Sequence, residues 1–205
     1  MDFADLSATC APSVHVQTMQ ALVQVESGFN PFAIGVVNGR LERQPVNKAE
    51  AVATARELER LGFNYSVGIA QVNKHNFKKF GLTVETAFDP CQSLRAGSQI
   101  LASCFKSAHA RYTVEQQALQ AAFSCYYSGN FQTGFRPDFK GQPSYVQKVL
   151  NAAARGKAAS PIAVTRDRPA SLAAPRPEPT IQAADARKRL QAQAQENQAQ
   201  SALVF

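Results

Sequence analysis

Apolar side chains recur at helical spacing along much of this chain, and Gly, Pro and Asn break the pattern at intervals. Residues 14–26 read as a first helix with Ser13 as its N-cap, ended by Gly28, Asn30 and Pro31. Residues 32–46 read as loop, and the Asn38-Gly39 turn signal predicts a small local hairpin. Residues 48–61 predict a second helix. Asn47 and Glu50 form its capping box, Gly62 stands just past its end, and Glu and Arg solvate its outer face. The stretch 67–73 is too short to classify, and a short helix is expected around 74–79.

Asp89-Pro90 marks the start of the next helix, with Leu94, Gly97, Leu101, Cys104 and Ala108 along one face. Residues 114–126 follow, with Leu119, Ala122, Phe123 and Tyr126 on one side and alanines that allow close packing. Gly129 and Gly134 mark a loop. Residues 143–155 read as a last helix, with Pro143 near its start and Tyr145, Val149 and Ala152 on one face. After Gly156 the composition turns to Ala, Gln and Pro, and Phe205 is the only aromatic residue. Such a segment buries too little apolar area to offset ordering, so 157–205 is expected to be a disordered tail, with 181–200 able to form a transient polar helix. It is either a passive linker or a docking segment for a partner.

The length of 205 residues suits one domain with an appendage. The net charge of +7 is spread out, +4 over residues 1–156 and +3 over 157–205, and the longest basic run is Arg187-Lys188-Arg189. That gives little support to nucleic-acid binding and suits a polyanionic polymer. No apolar run reaches membrane-spanning length. The start, Met1-Asp2-Phe3-Ala4-Asp5, is acidic and shows no secretion signal, which leaves the export route open. Cys10, Cys91, Cys104 and Cys125 fit two disulfides in any of three pairings, or four buried thiols. With no Cys-x-x-Cys and with His15, His75 and His109 scattered, no metal or other cofactor is expected.

Glu26 is the residue that points to chemistry. Met19, Leu22 and Val23 precede it at helical spacing, so its carboxyl shares their apolar face. Burial raises a carboxyl pKa, and an acid still protonated near neutral pH suits glycosidic bond cleavage. The plain alternative is a Glu that ends a helix at a solvated edge.

Three segments then stand in order: Glu26-Ser27-Gly28-Phe29-Asn30-Pro31, Gly68-Ile69-Ala70-Gln71-Val72-Asn73, and Tyr126-Tyr127-Ser128-Gly129-Asn130. Together they resemble the lysozyme-like lytic transglycosylase family, the soluble lytic transglycosylase domain. Its corresponding segments read Glu-Ser-x-Phe-Asn-Pro, Gly-Leu-Met-Gln-Ile-Asn and Ala-Tyr-Asn-Ala-Gly. Tyr145-Val146 resembles the family's closing Tyr-Val pair. Pro31-Phe32-Ala33-Ile34-Gly35-Val36 and the run from Cys125 to Asn130 resemble the subgroup that accompanies type IV secretion and conjugation machines. One departure is the insertion of residues 35–66 between the first two segments.

The resemblance covers residues 10–155 and implies a mainly α, lysozyme-like (goose-type/lytic transglycosylase) single domain over 1–156. It implies peptidoglycan glycan strands as substrate, a periplasmic location, and secretion components as partners of the tail. Sugar-chain cleavage ordinarily uses two carboxyl groups, and the motif set holds one. Glu42, Glu85, Asp89 and Asp138 fall in loops or at helix starts. In the family the substrate's N-acetyl group and its own 6-hydroxyl supply the rest, and the product is a 1,6-anhydromuramyl end. By resemblance, Glu26 acts as acid and then as base.

Ser66 is the candidate hydroxyl near the cleavage site, against an ordinary loop serine. Gln71 and Asn73 offer amides to N-acetyl and hydroxyl groups, against hydrogen bonding within a turn. Tyr126 is expected to hydrogen-bond Glu26 and pack under a sugar ring, against a core tyrosine. Tyr145 carries the same two readings, tilted toward packing. The alternatives to a transglycosylase are a hydrolytic goose-type lysozyme and a non-catalytic wall-binding scaffold.

Overall fold

The computed structural model describes residues 2–157; of the expected tail, Lys157 ends the last helix and 158–205 lie outside the described residues. The protein is mostly helical. Helix α1 (Phe3–Cys10), which the sequence pattern did not reveal, is capped by Asp2, whose side chain accepts from the Asp5 amide at 2.9 Å. Helix α2 (Val16–Glu26) starts later than expected, and His15 rather than Ser13 caps it, its Nδ1 accepting from the Gln17 amide. Strand β1 (Ile34–Val36) is followed by α3 (Lys48–Arg60), then by β2 (Tyr65–Val67) and β3 (Val72–Asn73). Two 3₁₀ turns, Lys74–Asn76 and Lys78–Phe80, replace the short helix expected at 74–79. Helices α4 (Pro90–His109), α5 (Glu115–Ser128) and α6 (Tyr145–Lys157) complete the fold.

The three strands form one antiparallel sheet in the order β1-β2-β3, with Ile34 opposite Val67 and Ser66 opposite Asn73. The expected local hairpin at Asn38-Gly39 therefore does not form. The turn itself exists: the Gly39 amide donates to the Val36 carbonyl at 3.3 Å, and Asn38 has φ +58°. But residues 40–46 carry Pro45 and no alternating apolar side chains, whereas Tyr65 and Val67 are fully buried. The open edge of β1 is closed by one side chain. Gln44 accepts from the Ile34 amide at 2.8 Å and donates to its carbonyl at 3.0 Å. The capping box of α3 is also modified: Asn47 takes the Glu50 amide, and Glu50 reaches back to the amide of Val46 instead of Asn47.

Two large cores divide the described residues, beside a small cluster of Ala108, Ala118 and Ala121. Met19, Leu22, Leu94, Leu101, Phe123 and Val149 pack the helices together, and Tyr65, Val67, Val72, Phe77 and Phe88 pack the sheet against α3 and the loops beneath it. Helix α4 serves both. Leu94, Gly97, Leu101, Cys104 and Ala108 are all buried on its predicted face, while Ala96 belongs to the sheet-side core. Gly97 allows a close approach, since a Cβ there would stand 2.7 Å from the Ala70 methyl and 3.0 Å from the Tyr126 hydroxyl.

Two disulfides, Cys10–Cys91 and Cys104–Cys125, settle the cysteine pairing. The first ties α1 to the head of α4. The second joins α4 to α5. Among the described residues, no helix is long and apolar enough to cross a membrane, and no cluster of His, Cys, Asp and Glu fits a metal ion.

Candidate active site

A cleft of about 710 Å³ opens where the two cores meet, and Glu26, Ser66, Gln71, Asn73 and Tyr126 all line it. Four chain segments far apart in sequence are brought to it by identifiable bonds. The end of α2 is anchored by Ser27, whose hydroxyl donates to the Ile69 carbonyl at 2.7 Å. Past it the backbone turns sharply, with Gly28 at φ +58° and Phe29 at φ +67°. The segment 68–71 is held from below. The Gly68 amide donates to the Ala33 carbonyl at 2.9 Å, and Ser93 Oγ accepts from the Ala70 amide at 3.2 Å. Gly68 sits at φ +79°, and a Cβ there would lie 2.3 Å from the Ala87 carbonyl oxygen, so only glycine fits.

Glu26 is partly buried. Its Oε1 accepts a hydrogen bond from the Tyr145 hydroxyl. Burial pushes its pKa up to about 7, and the Tyr145 hydrogen bond opposes that rise. Its place at the C-terminal end of α2 also disfavours a negative charge. A protonated carboxyl near neutral pH follows, as the apolar face predicts. The hydroxyls of Tyr126 and Tyr145 are held well above the ordinary phenol range, first by burial and then by the charge of Glu26, so both act as neutral donors.

The two tyrosines differ from expectation in their roles. Tyr126 does not bond Glu26. Its hydroxyl donates to the Ala70 carbonyl at 2.5 Å, because Gly97 leaves it room to cross α4 and reach the sheet-side loop. Tyr145 makes the bond to the acid instead. It is 4% exposed and stands behind the carboxylate, not on the cleft lining. Its ring stacks on that of Tyr127, with centroids 4.6 Å apart and planes at 16°.

The polar wall opposite is a set of amides. Gln71, at φ +47°, donates to the Ala33 and Gly68 carbonyls at 2.9 and 3.0 Å, which is the turn-holding alternative. Asn73 donates to Asn64 Oδ1 at 2.9 Å and to Ser66 Oγ at 3.3 Å, and accepts from the His75 amide. Ser66 thus sits in the cleft within an Asn64–Ser66–Asn73 cluster. Asn64, Lys79 and Tyr127 also line the cleft and were not singled out in the sequence.

Among the described residues that line the cleft, Glu26 is the only carboxylate and Lys79 is the only cation. The other acids are engaged elsewhere or exposed. Glu85 pairs with Arg56, Asp89 caps α4, Asp138 takes Tyr127 and Lys148, and Glu42 is exposed.

Comparison with known proteins agrees with this geometry. The family described as Transglycosylase SLT domain matches residues 5–136. The chain is 53% identical over 180 residues to the type IV secretion system protein virB1 of Brucella suis biovar 1 (strain 1330), spanning 84% of this chain and 74% of that one. The same figures relate it to the protein of that name in Brucella abortus (strain 2308). It is 34% identical over 154 residues to protein virB1 of Agrobacterium fabrum (strain C58 / ATCC 33970), covering 74% of this chain and 59% of that one. No solved structure gives a significant match.

Proposed function

The chain belongs to the transglycosylase SLT domain family, and we propose on that basis which bond it cuts, by which residues and where. It is a lytic transglycosylase with a role in assembly of a type IV secretion system. In the proposed reaction it cleaves the β-1,4 bond from N-acetylmuramic acid to N-acetylglucosamine. It leaves 1,6-anhydro ends and opens the wall locally, in the periplasm, for the apparatus. The observation that supports this most is a single carboxyl in the cleft with its pKa raised to about 7.

Glu26 first gives its proton to the glycosidic oxygen, and the bond from that oxygen to the anomeric carbon breaks. The substrate's N-acetyl oxygen stabilises the cationic carbon. The substrate's 6-hydroxyl then bonds to that carbon and returns its proton to Glu26, so no water is added. Tyr145 positions the carboxylate and steadies it when ionised. Ser66, Gln71, Asn73 and Tyr126 form the walls that receive the strand. A hydrolytic goose-type lysozyme would need a group to activate water, and no second carboxylate lines the cleft among the described residues. Mass spectrometry of fragments released from purified peptidoglycan decides the matter. Ends lighter by one water support the transglycosylase, reducing ends mean a lysozyme, and no fragments at all mean a scaffold.

Tyr145→Phe removes the hydrogen bond that holds the Glu26 pKa down. The acid then stays protonated to higher pH, so the alkaline limb of the pH–rate profile moves upward from about 7. The maximal rate falls roughly tenfold as the carboxylate loses its donor. A profile with an unmoved limb would remove Tyr145 from this role.

The domain boundary belongs to the proposal too. A chain ending at Lys157 keeps full cleavage of isolated wall, while the segment beyond it serves contacts with secretion components. A loss greater than about threefold in fragment release would place part of 158–205 in the enzyme itself.

A further inference from the structure

Tyr127 lines the cleft yet has no part in the reaction just described. The residue is 42% exposed, yet its ring and its hydroxyl both have partners. One face lies on Tyr145, with centroids 4.6 Å apart and planes at 16°. The hydroxyl donates to Asp138 Oδ1 at 2.7 Å. Asp138 is in turn fixed by Lys148, whose Nζ is 3.5 Å from Oδ2. Lys148 and Tyr145 both belong to α6, so one helix sets the ring's plane and, through Asp138, its hydroxyl. A half-open aromatic side chain ordinarily keeps rotamer freedom; these contacts restrain this one before any ligand arrives.

We propose that Tyr127 is a saccharide-stacking platform, and that its exposed surface receives a pyranose ring of the strand beside the bond presented to Glu26. The proposal rests on the transglycosylase reading above. The chemistry is that of an aromatic face, whose negative quadrupole attracts the C–H groups on the apolar face of a sugar. The ring needs no rearrangement to bind, so the entropy cost of ordering it is already met by Asp138, Lys148 and Tyr145. Asp138 and Lys148 are positioning residues: they touch Tyr127, not the sugar. The platform differs from the amide wall across the cleft in reading ring shape rather than substituents.

The test separates the platform from a ring that merely steadies Tyr145. Binding of amidase-stripped glycan strands is measured by calorimetry in a Glu26→Gln background, alone and with Tyr127→Leu, Tyr127→Phe or Asp138→Asn. Tyr127→Leu keeps much of the volume without a π face and weakens binding about tenfold. Tyr127→Phe keeps the face and stays within about threefold of the parent. Asp138→Asn, whose side-chain oxygen still accepts from the Tyr127 hydroxyl, also stays within about threefold. In the active background Tyr127→Leu raises KM and leaves the pH limb near 7 in place.

Unchanged binding with a shifted pH limb and a reduced kcat would overturn the platform and leave a support for Tyr145 only. A direct measurement avoids any folding defect at 127. With 13C-labelled tyrosine in the Glu26→Gln chain, sugar ring protons show contacts to the Tyr127 ring, assigned by their loss in Tyr127→Phe. Absence of those contacts in a saturated complex also overturns the proposal. If the Glu26→Gln chain binds no strands, the platform falls. Whether the cleavage reading falls with it is read separately, from the fragments released by the unaltered chain.

Discussion

Glu26→Gln lowers strand cleavage by about 10²–10⁴-fold and leaves the fold intact. The amide has nearly the shape of the carboxylic acid, and its oxygen still accepts from the Tyr145 hydroxyl, so packing at the end of α2 is preserved. What it lacks is a transferable proton. The same substitution has a second, independent signature in stability. The Glu26 pKa rises from 4.5 to about 7 on folding. Between these values the unfolded chain has already released a proton that the folded chain holds. Folded-state stability therefore falls as pH climbs from about 4.5 through 7, and the loss persists above 7. Glutamine carries no such penalty. The variant is consequently more stable than the parent at pH 8, on the order of 1–3 kcal/mol after allowing for partial exposure, and equal to it near pH 4. Chemical denaturation at the two pH values measures this. Equal stability at both would mean that the carboxyl is not desolvated, and the argument for a neutral acid would fail with it.

That pairing of lost activity with gained stability explains what the sequence could and could not disclose. The apolar face of Met19, Leu22 and Val23 is a periodic feature, and it predicted the raised carboxyl without any knowledge of tertiary contacts. Capping at Asn47 and Asp89 is likewise local, and both caps form. The partner of Glu26 was not local. Tyr126 and Tyr145 are equivalent as sequence, and only the gap at Gly97 decides that Tyr126 crosses to Ala70 while Tyr145 reaches the acid. The sheet hid for the same reason. β1 finds its partner across α3, and a turn signal at Asn38-Gly39 says nothing about a strand beyond that helix. Helix α1 carried too short and too weak a pattern to be read, since its place is set by Cys10 and by the Phe3–Phe29 contact at 5.0 Å. Tyr127 went unassigned because its importance lies in what fixes it: Asp138, Lys148 and Tyr145 all lie in or beside α6.

Removing either disulfide lowers stability, but the two losses differ in their effect on cleavage. Cys10–Cys91 closes a loop with a sequence separation of 81, and Cys104–Cys125 one of 21. On the chain-entropy account the longer loop contributes about 4–5 kcal/mol and the shorter about 3 kcal/mol. For a domain whose whole stability is on the order of 5–15 kcal/mol, either is a large share. The double variant Cys10→Ser/Cys91→Ser should drop Tm by about 5–20 °C. It frees α1, which packs on Phe29 but contributes no side chain to the cleft, so cleavage by the folded fraction at low temperature stays close to normal. Cys104→Ser/Cys125→Ser lowers Tm less, yet it cuts activity more. Both residues line the cleft, and Cys125 directly precedes Tyr126, whose hydroxyl bridges α5 to Ala70. Loosening the α4–α5 contact there shifts the wall that faces Glu26. Scanning calorimetry and fragment release at low temperature, run on both double variants, check the crossed order. Parallel losses in stability and activity would mean that the second disulfide only staples the fold. The crossed order would mean that reduction unmakes the cleft before it unmakes the domain.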